Sequence, residues 1–280
     1  MKKFRKISLL LCGLFLFSFF GACADKNADV SPTKDTQQAQ ETESTPDSND
    51  SLPTEDYTYE IESKYWAEEA ISVTYPTIVN SDDQEWVDAI NEIIEADIYN
   101  VIDGSDGIRM LAENPDAITI DADYDYIDSM EPVISIEYSG TYNVENAAYP
   151  INFYHTLTIN LDEAKILMLS DLFVIDQAFV DAFKMGTYAP YGSDVDLEAA
   201  GENVQNLVSE LYTNEELIAL FSDAGIDFYM TNTGVILSVE VPHNWGDHLE
   251  MAVTYENIES NIIADNPSWD SYGFLSESGE

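Results

Sequence analysis

Between Ile151 and Leu161 the side chains alternate without interruption. Ile151, Phe153, His155, Leu157, Ile159 and Leu161 fall on one side, and Asn152, Tyr154, Thr156, Thr158 and Asn160 on the other. A period of two is the mark of a half-buried strand, and it constrains the chain more tightly than any other stretch. Asp162 to Lys165 reads as a turn, and Ile166 to Leu169 leads into a helix start at Ser170-Asp171-Leu172-Phe173. Two more strands are predicted just upstream. One is Ile118–Ile127, with Ile118, Ile120, Ala122, Tyr124 and Tyr126 opposite Thr119, Asp121, Asp123 and Asp125; the other is Val133–Val144. Consecutive strands with short turns imply an antiparallel meander, apolar on one face and solvated on the other.

The flanks supply the rest of a domain. Tyr57, Tyr59 and Ile61 alternate with polar residues, and Ala70–Tyr75 is a strand that Pro76 should stop. Ser81-Asp82-Asp83-Gln84 has the form of a capping box. The helix behind it carries Trp86, Ile90, Ile93, Ile94 and Val101 as a core stripe and ends near Asp103-Gly104. Residues 174–225 are helical in pattern, with a last helix opened by Thr213-Asn214-Glu215-Glu216 and closed by Gly225. Strands at Gly234–Val241 and Leu249–Tyr255 complete the core, and residues 263–280 form a polar, loosely held tail. The expected class is α+β: antiparallel sheet or sheets with helices packed on one face. One domain and two subdomains joined near Asn114–Asp128 both fit.

The N-terminal region gives an address. Lys2, Lys3, Arg5 and Lys6 precede the apolar run Ile7–Phe20. That run is shorter than the roughly 20 residues a spanning helix needs, and matches the apolar core of a signal peptide. Phe20-Gly21-Ala22-Cys23 resembles a lipobox, so residues 1–22 are expected to be removed and Cys23 to carry the lipid. Cys12 leaves with the leader, and no cysteine remains for a disulfide. Residues 23–56 are rich in Asp, Glu, Ser, Thr and Pro, and read as a disordered acidic tether for a domain over 57–262. The chain holds 54 acidic against ten basic residues, a formal charge of −44. A field of that sign excludes nucleic acid as a partner and speeds encounters with cations. It also serves solubility.

Catalytic and metal motifs are missing. Asp121, Asp123 and Asp125 imitate half of an EF-hand loop, but Tyr126 stands where glycine is needed and Pro132 where glutamate is needed. The aspartates are better explained as the wet face of a strand. His243 and His248 flank Asn244-Trp245-Gly246-Asp247 without metalloprotease spacing. His155 lies on the apolar side of its strand and reads as a satisfied core histidine. No nucleophile elbow, cysteine–histidine pair or phosphate loop occurs. The reading is a protein that is not an enzyme, with no cofactor and no metal.

Three features carry a family resemblance. They are Tyr75-Pro76 leading to a helix with Ile90-Asn91; the strand Phe153–Leu161 followed by Asp162–Lys165 and Leu169-Ser170-Asp171-Leu172-Phe173; and the closing strands preceded by Phe228–Thr231. In these the tract from Ile71 to Ile258 resembles the RsiV-like extracellular domain family. That family comprises the wall-facing domain of a lysozyme-sensing anti-sigma factor and domains beside PdaC-type peptidoglycan deacetylases. Asn146-Ala147-Ala148-Tyr149-Pro150 stands where members of the family carry Gly-Gly-Ala-His. Neither a sigma-binding segment, a spanning helix nor a deacetylase domain is expected here.

The resemblance and the charge together imply a lipid-anchored, non-enzymatic binding domain on the outer face of a Gram-positive membrane. Its implied partner is a cationic protein of lysozyme type. The contact loops would be Asn143–Pro150 and His243–His248, with Asn146, Tyr149, His243, Trp245 and His248 as binding residues. The alternative is a peptidoglycan- or glycan-binding module, or a wall-modifying hydrolase, using Tyr188, Tyr191, Trp245 and Trp269.

Overall fold

The predicted strands assemble into two sheets. The first has six strands in sequence order: β1 (Glu60–Glu68), β2 (Ile71–Val79), β3 (Ile118–Asp128), β4 (Val133–Val144), β5 (Ile151–Asn160) and β6 (Lys165–Ile166). All neighbours are antiparallel except β2 and β3, which pair in parallel over Ile71–Val73. Parallel pairing needs a long crossover, and helix α1 (Gln84–Asp103) supplies it. After α2 (Leu169–Leu172) and α3 (Gln177–Lys184) come β7 (Thr187–Tyr188), α4 (Val204–Leu211), α5 (Asn214–Phe221), β8 (Phe228–Met230), β9 (Gly234–Glu240) and β10 (His248–Thr254). The second sheet runs β7-β10-β9-β8, all antiparallel. This computed structural model describes residues 58–68, 70–105, 107–111, 118–128, 131–190, 196–270 and 272. Cys23, the leader, the tether and Tyr191 lie outside them. The described residues all belong to one compact unit, Glu55–Glu280.

The α+β class is the expected one, and each sheet carries its helices on one face. Ile90, Ile94, Ile98 and Ile102 of α1 pack on Ile118, Ile136, Tyr138, Phe153, Leu157 and Ile159 of the first sheet. Phe179 and Phe183 of α3, Val208 of α4 and Phe221 of α5 pack on Val235, Leu237, Met251 and Val253 of the second. Each apolar core therefore lies on the outer side of a sheet. Between the sheets, β8 sits against β4 and β5. The Oγ1 atoms of Thr156 and Thr158 donate to the Phe228 carbonyl at 2.9 and 3.1 Å, and the Met230 amide donates to Ser135 Oγ. The polar face of β4 and β5, expected to be wet, is thus interior. Ser135, Glu137, Thr156, Thr158 and Asn160 are all buried. The polar face of β3 stays wet, with Asp121, Asp123 and Asp125 exposed as their alternation requires.

Other expectations shift by small, explicable amounts. Pro76 does not stop β2 but pairs with Ser63 inside it. Beyond Val73 the strand has β1 on one side and no β3 on the other, and a residue without an amide hydrogen is tolerated on such an edge. The cap of α1 is Asp83 rather than Ser81, its Oδ1 accepting from the Trp86 amide at 3.0 Å. Trp86 sits at the margin of the core, its indole donating to the Leu161 carbonyl. The last helix opens at Thr213 as read, through a capping box with Glu216, although α5 ends at Phe221, before Gly225. The largest departure is the tail. Trp269 and Tyr272 are 2% and 1% exposed and pack edge-on against each other and Tyr255. The core thus continues past residue 262.

Candidate functional site: an acidic cleft over a polar seam

A cleft of about 1270 Å³ opens where the C-terminal half of α1, the start of β5, α5 and the β9–β10 ends converge. Its carboxylates are Glu216, Asp223, Asp227, Glu240 and Asp247, and among the described residues that line it there is no lysine or arginine. Tyr142, Tyr154 and Tyr212 add aromatic surface. The Tyr212 hydroxyl donates to the Glu240 carbonyl at 2.6 Å, tying the end of α4 to the end of β9.

His155 forms one wall. Its Nε2 lies 2.7 Å from Asp97 Oδ2 on α1, and its Nδ1 lies 3.0 Å from Asp227 Oδ1 in the turn before β8. Two carboxylates can only accept, so both ring nitrogens carry hydrogen and the ring is an imidazolium. Burial opposes that charge; the hydrogen bonds the ring donates to Asp227 and Asp97 overcome it and raise the pKa to about 10. Asp227 Oδ1 also accepts from the Thr156 amide at 2.8 Å. His155 is therefore satisfied, as read, but by ions and beside the cleft, not inside an apolar core.

A second histidine lies where the cleft meets the inter-sheet seam. His248, 6% exposed, stacks on Tyr154 at 4.5 Å and bonds through Nδ1 to Glu250 Oε1. Glu250 Oε1 also accepts from Ser238 Oγ at 3.2 Å. Glu137 enters the same seam from β4. Burial is the chief force raising the pKa of both acids; Glu250 and then Asp125 add to it for Glu137, which reaches about 8.

The two predicted contact loops meet at one end of the cleft. Tyr149 stacks on His243 with ring centroids 3.7 Å apart and 4° between planes. Asp247 pairs with His243 Nδ1 at 3.0 Å and accepts from the Asn152 amide at 2.8 Å, while Asn152 Nδ2 donates to the Gly246 carbonyl. Gly246 at φ 104° and Asp247 at φ 72° make that turn, a backbone glycine adopts without strain. Of the five predicted residues, Tyr149 and His243 come together at the surface. His248 turns inward, and Trp245 is half-buried against the second core. Asn146 stays exposed in its turn at φ 67°. Neither Tyr188 nor Trp269 offers a glycan surface, being 7% and 2% exposed. Sequence reasoning missed Asp97, Glu137, Tyr154, Asp227 and Glu250. A glutamate in the run Val133–Tyr138, apolar apart from Ser135, was the available signal for Glu137.

Among the described residues, no group of three or more His, Cys, Asp or Glu could hold a metal ion, and no helix is long and apolar enough to cross a membrane. The molecule is thus an α+β domain of two facing sheets with a polar seam and an acidic cleft. A crystal structure of a DUF3298 family member from Bacteroides fragilis shares this fold, with a TM-score of 0.51 at 13% identity, over 77% of this chain and 98% of that one. A DUF3298 family protein from Pseudomonas aeruginosa, at 14% identity, gives a TM-score of 0.38 over 74% and 92%. No family model and no curated protein matches the sequence.

Proposed function

We propose that this chain is a lipid-anchored, non-enzymatic extracellular binding domain whose acidic cleft takes a cationic protein, with lysozyme-type proteins as the partner class. The single observation that carries this reading is the cleft lining: five carboxylates, three tyrosines and, among the described residues, no lysine or arginine, while the His155 imidazolium on its wall is already held by Asp227 and Asp97. Inside a concave, low-dielectric wall, charges of one sign focus the field and raise the local concentration of the opposite ion. The formal charge of −44 extends that field beyond the cleft. The RsiV-like resemblance points the same way, and the DUF3298 fold is compatible with it. The leader and Cys23 support an address on the outer face of a Gram-positive membrane.

The reading is tested by exposing the full chain separately to a lysozyme and to insoluble peptidoglycan. Capture by the protein that weakens as salt rises through the physiological range is the expected result. Capture by peptidoglycan alone, insensitive to salt, would transfer the assignment to a wall-polymer module. Tyr142, Tyr154 and Tyr212 in the cleft are the observation favouring that second reading, as sugar rings stack on exposed aromatic faces.

A further inference from the structure

The seam between the sheets holds more ionisable chemistry than its closure requires. Glu137 and Glu250 are 1% and 0% exposed. Glu250 Oε1 is engaged by Ser238 and His248, yet Glu250 Oε2, both Glu137 oxygens and His248 Nε2 have no hydrogen-bond partner. Among the described residues, the ion pairs of lysine and arginine are Arg109–Asp103 and Lys165–Asp171, neither of which reaches the seam. Two anions with three unsatisfied oxygens in a dry space would cost far more than folding can spare; one of the carboxyls must be neutral there.

The neighbours reinforce that conclusion from every side. β10 contributes His248, β5 contributes Tyr154, β8 contributes Tyr229, β3 contributes Asp125, and Asp227 approaches from the turn before β8. All are acids or phenols except His248; Asp227 is already paired with the His155 imidazolium, whose two ring nitrogens are both taken by aspartates. The α1 layer lies on the opposite face of the first sheet and adds no cation. The barrier between seam and cleft is the stacked pair Tyr154 and His248, both of which line the cleft together with Ser238.

We propose that the seam is a proton-loaded switch: Glu137 and Glu250 hold one proton between them while the Tyr154–His248 wall is shut, and loss of that proton opens the wall to the cleft. The bare second carboxylate must find water or a cation, and the cleft is the adjoining source of both. With Glu137 pushed up to about 8, the change falls just above neutrality. The proposal does not depend on what the cleft binds.

An infrared titration of the full chain tests it. At pH 6 the protonated-carboxyl carbonyl band should be present, should vanish with a midpoint near 8, and should be missing from Glu137→Gln. Hydrogen exchange read alongside, corrected for its intrinsic pH dependence, should accelerate about tenfold or more in β4 and β10 above that midpoint. Amides of α3 and α4 should stay protected. Absence of the band in the wild-type chain at pH 6 would overturn the proposal even if the variant failed to fold. So would a band that disappears while β4 and β10 exchange is unchanged, or an acceleration that spreads equally to α3 and α4.

Discussion

His155 and His248 stand on different sheets of one molecule and meet carboxylates in opposite ways. Both ring nitrogens of His155 reach an aspartate, and those aspartates come from α1 and from the turn before β8. The cluster joins three separate chain segments around a charge that is fully compensated. His248 has one nitrogen on Glu250 and the other without a partner, and a second buried glutamate stands near with nothing to neutralise it. The first arrangement explains why the fold holds together. The second costs about 1–3 kcal/mol for each unsatisfied group and is not explained by stability. Where both are buried, uncompensated chemistry is the better guide to function.

Substitutions at the two clusters should separate them, and the largest effect belongs to His155. His155→Phe leaves Asp97 and Asp227 facing each other without a cation, and should cost about 3–5 kcal/mol in denaturant unfolding. The pH dependence has a definite sign. The folded pKa, about 10, lies above the ordinary 6.5, so the native state binds the extra proton. Its contribution is complete below about 6.5 and drains away as pH rises towards 10. The variant should lack that slope. A loss below about 1 kcal/mol would remove the contrast between the clusters.

Glu137→Gln should act in the opposite direction and by less. Its folded pKa of about 8 exceeds the ordinary 4.5, so wild-type stability falls across that window as the unfolded state sheds a proton that the native state keeps. The variant should therefore match the wild type near pH 5 and exceed it by about 1–3 kcal/mol at pH 9. Equal destabilisation at both pH values would mean that Glu137 is a structural partner after all. Smallest of all, Tyr149→Ala removes an exposed stack on His243 and should cost about 0.5–1 kcal/mol in thermal unfolding. A greater loss would mean that the surface loops, not the buried histidines, organise this end of the domain.

How much of this could be read in advance depended on whether one layer or two decided a residue's fate. The alternation over Ile151–Leu161, the turn at Asp162–Lys165 and the helix opening at Thr213–Glu216 are local, and all three stand in the structure. The polar row Asn152, Tyr154, Thr156, Thr158 and Asn160 has the same period whether it faces water or a second sheet. Its burial against β8 could not be read from period alone. Trp269 and Tyr272 failed for a related reason: two aromatics in a polar stretch show no periodicity, and only a cavity elsewhere in the chain gives them a place. Pro76 misled because edge pairing, which excuses a proline, depends on how far β3 accompanies β2. At the candidate site, Tyr149 and His243 were singled out as loop residues, and the structure stacks their rings. Asp97, Asp227, Glu137 and Glu250 were indistinguishable among 54 acids until the topology brought them beside histidines.

Titration calorimetry addresses the proposal that the acidic cleft recognises a cationic protein. The full chain would be titrated with a lysozyme at low and at physiological salt, beside a variant carrying Glu216→Gln, Asp223→Asn and Glu240→Gln. Binding should weaken with salt and fall about tenfold or more in the variant at low salt. Binding that is equal in the two proteins, or no heat from either, would contradict it.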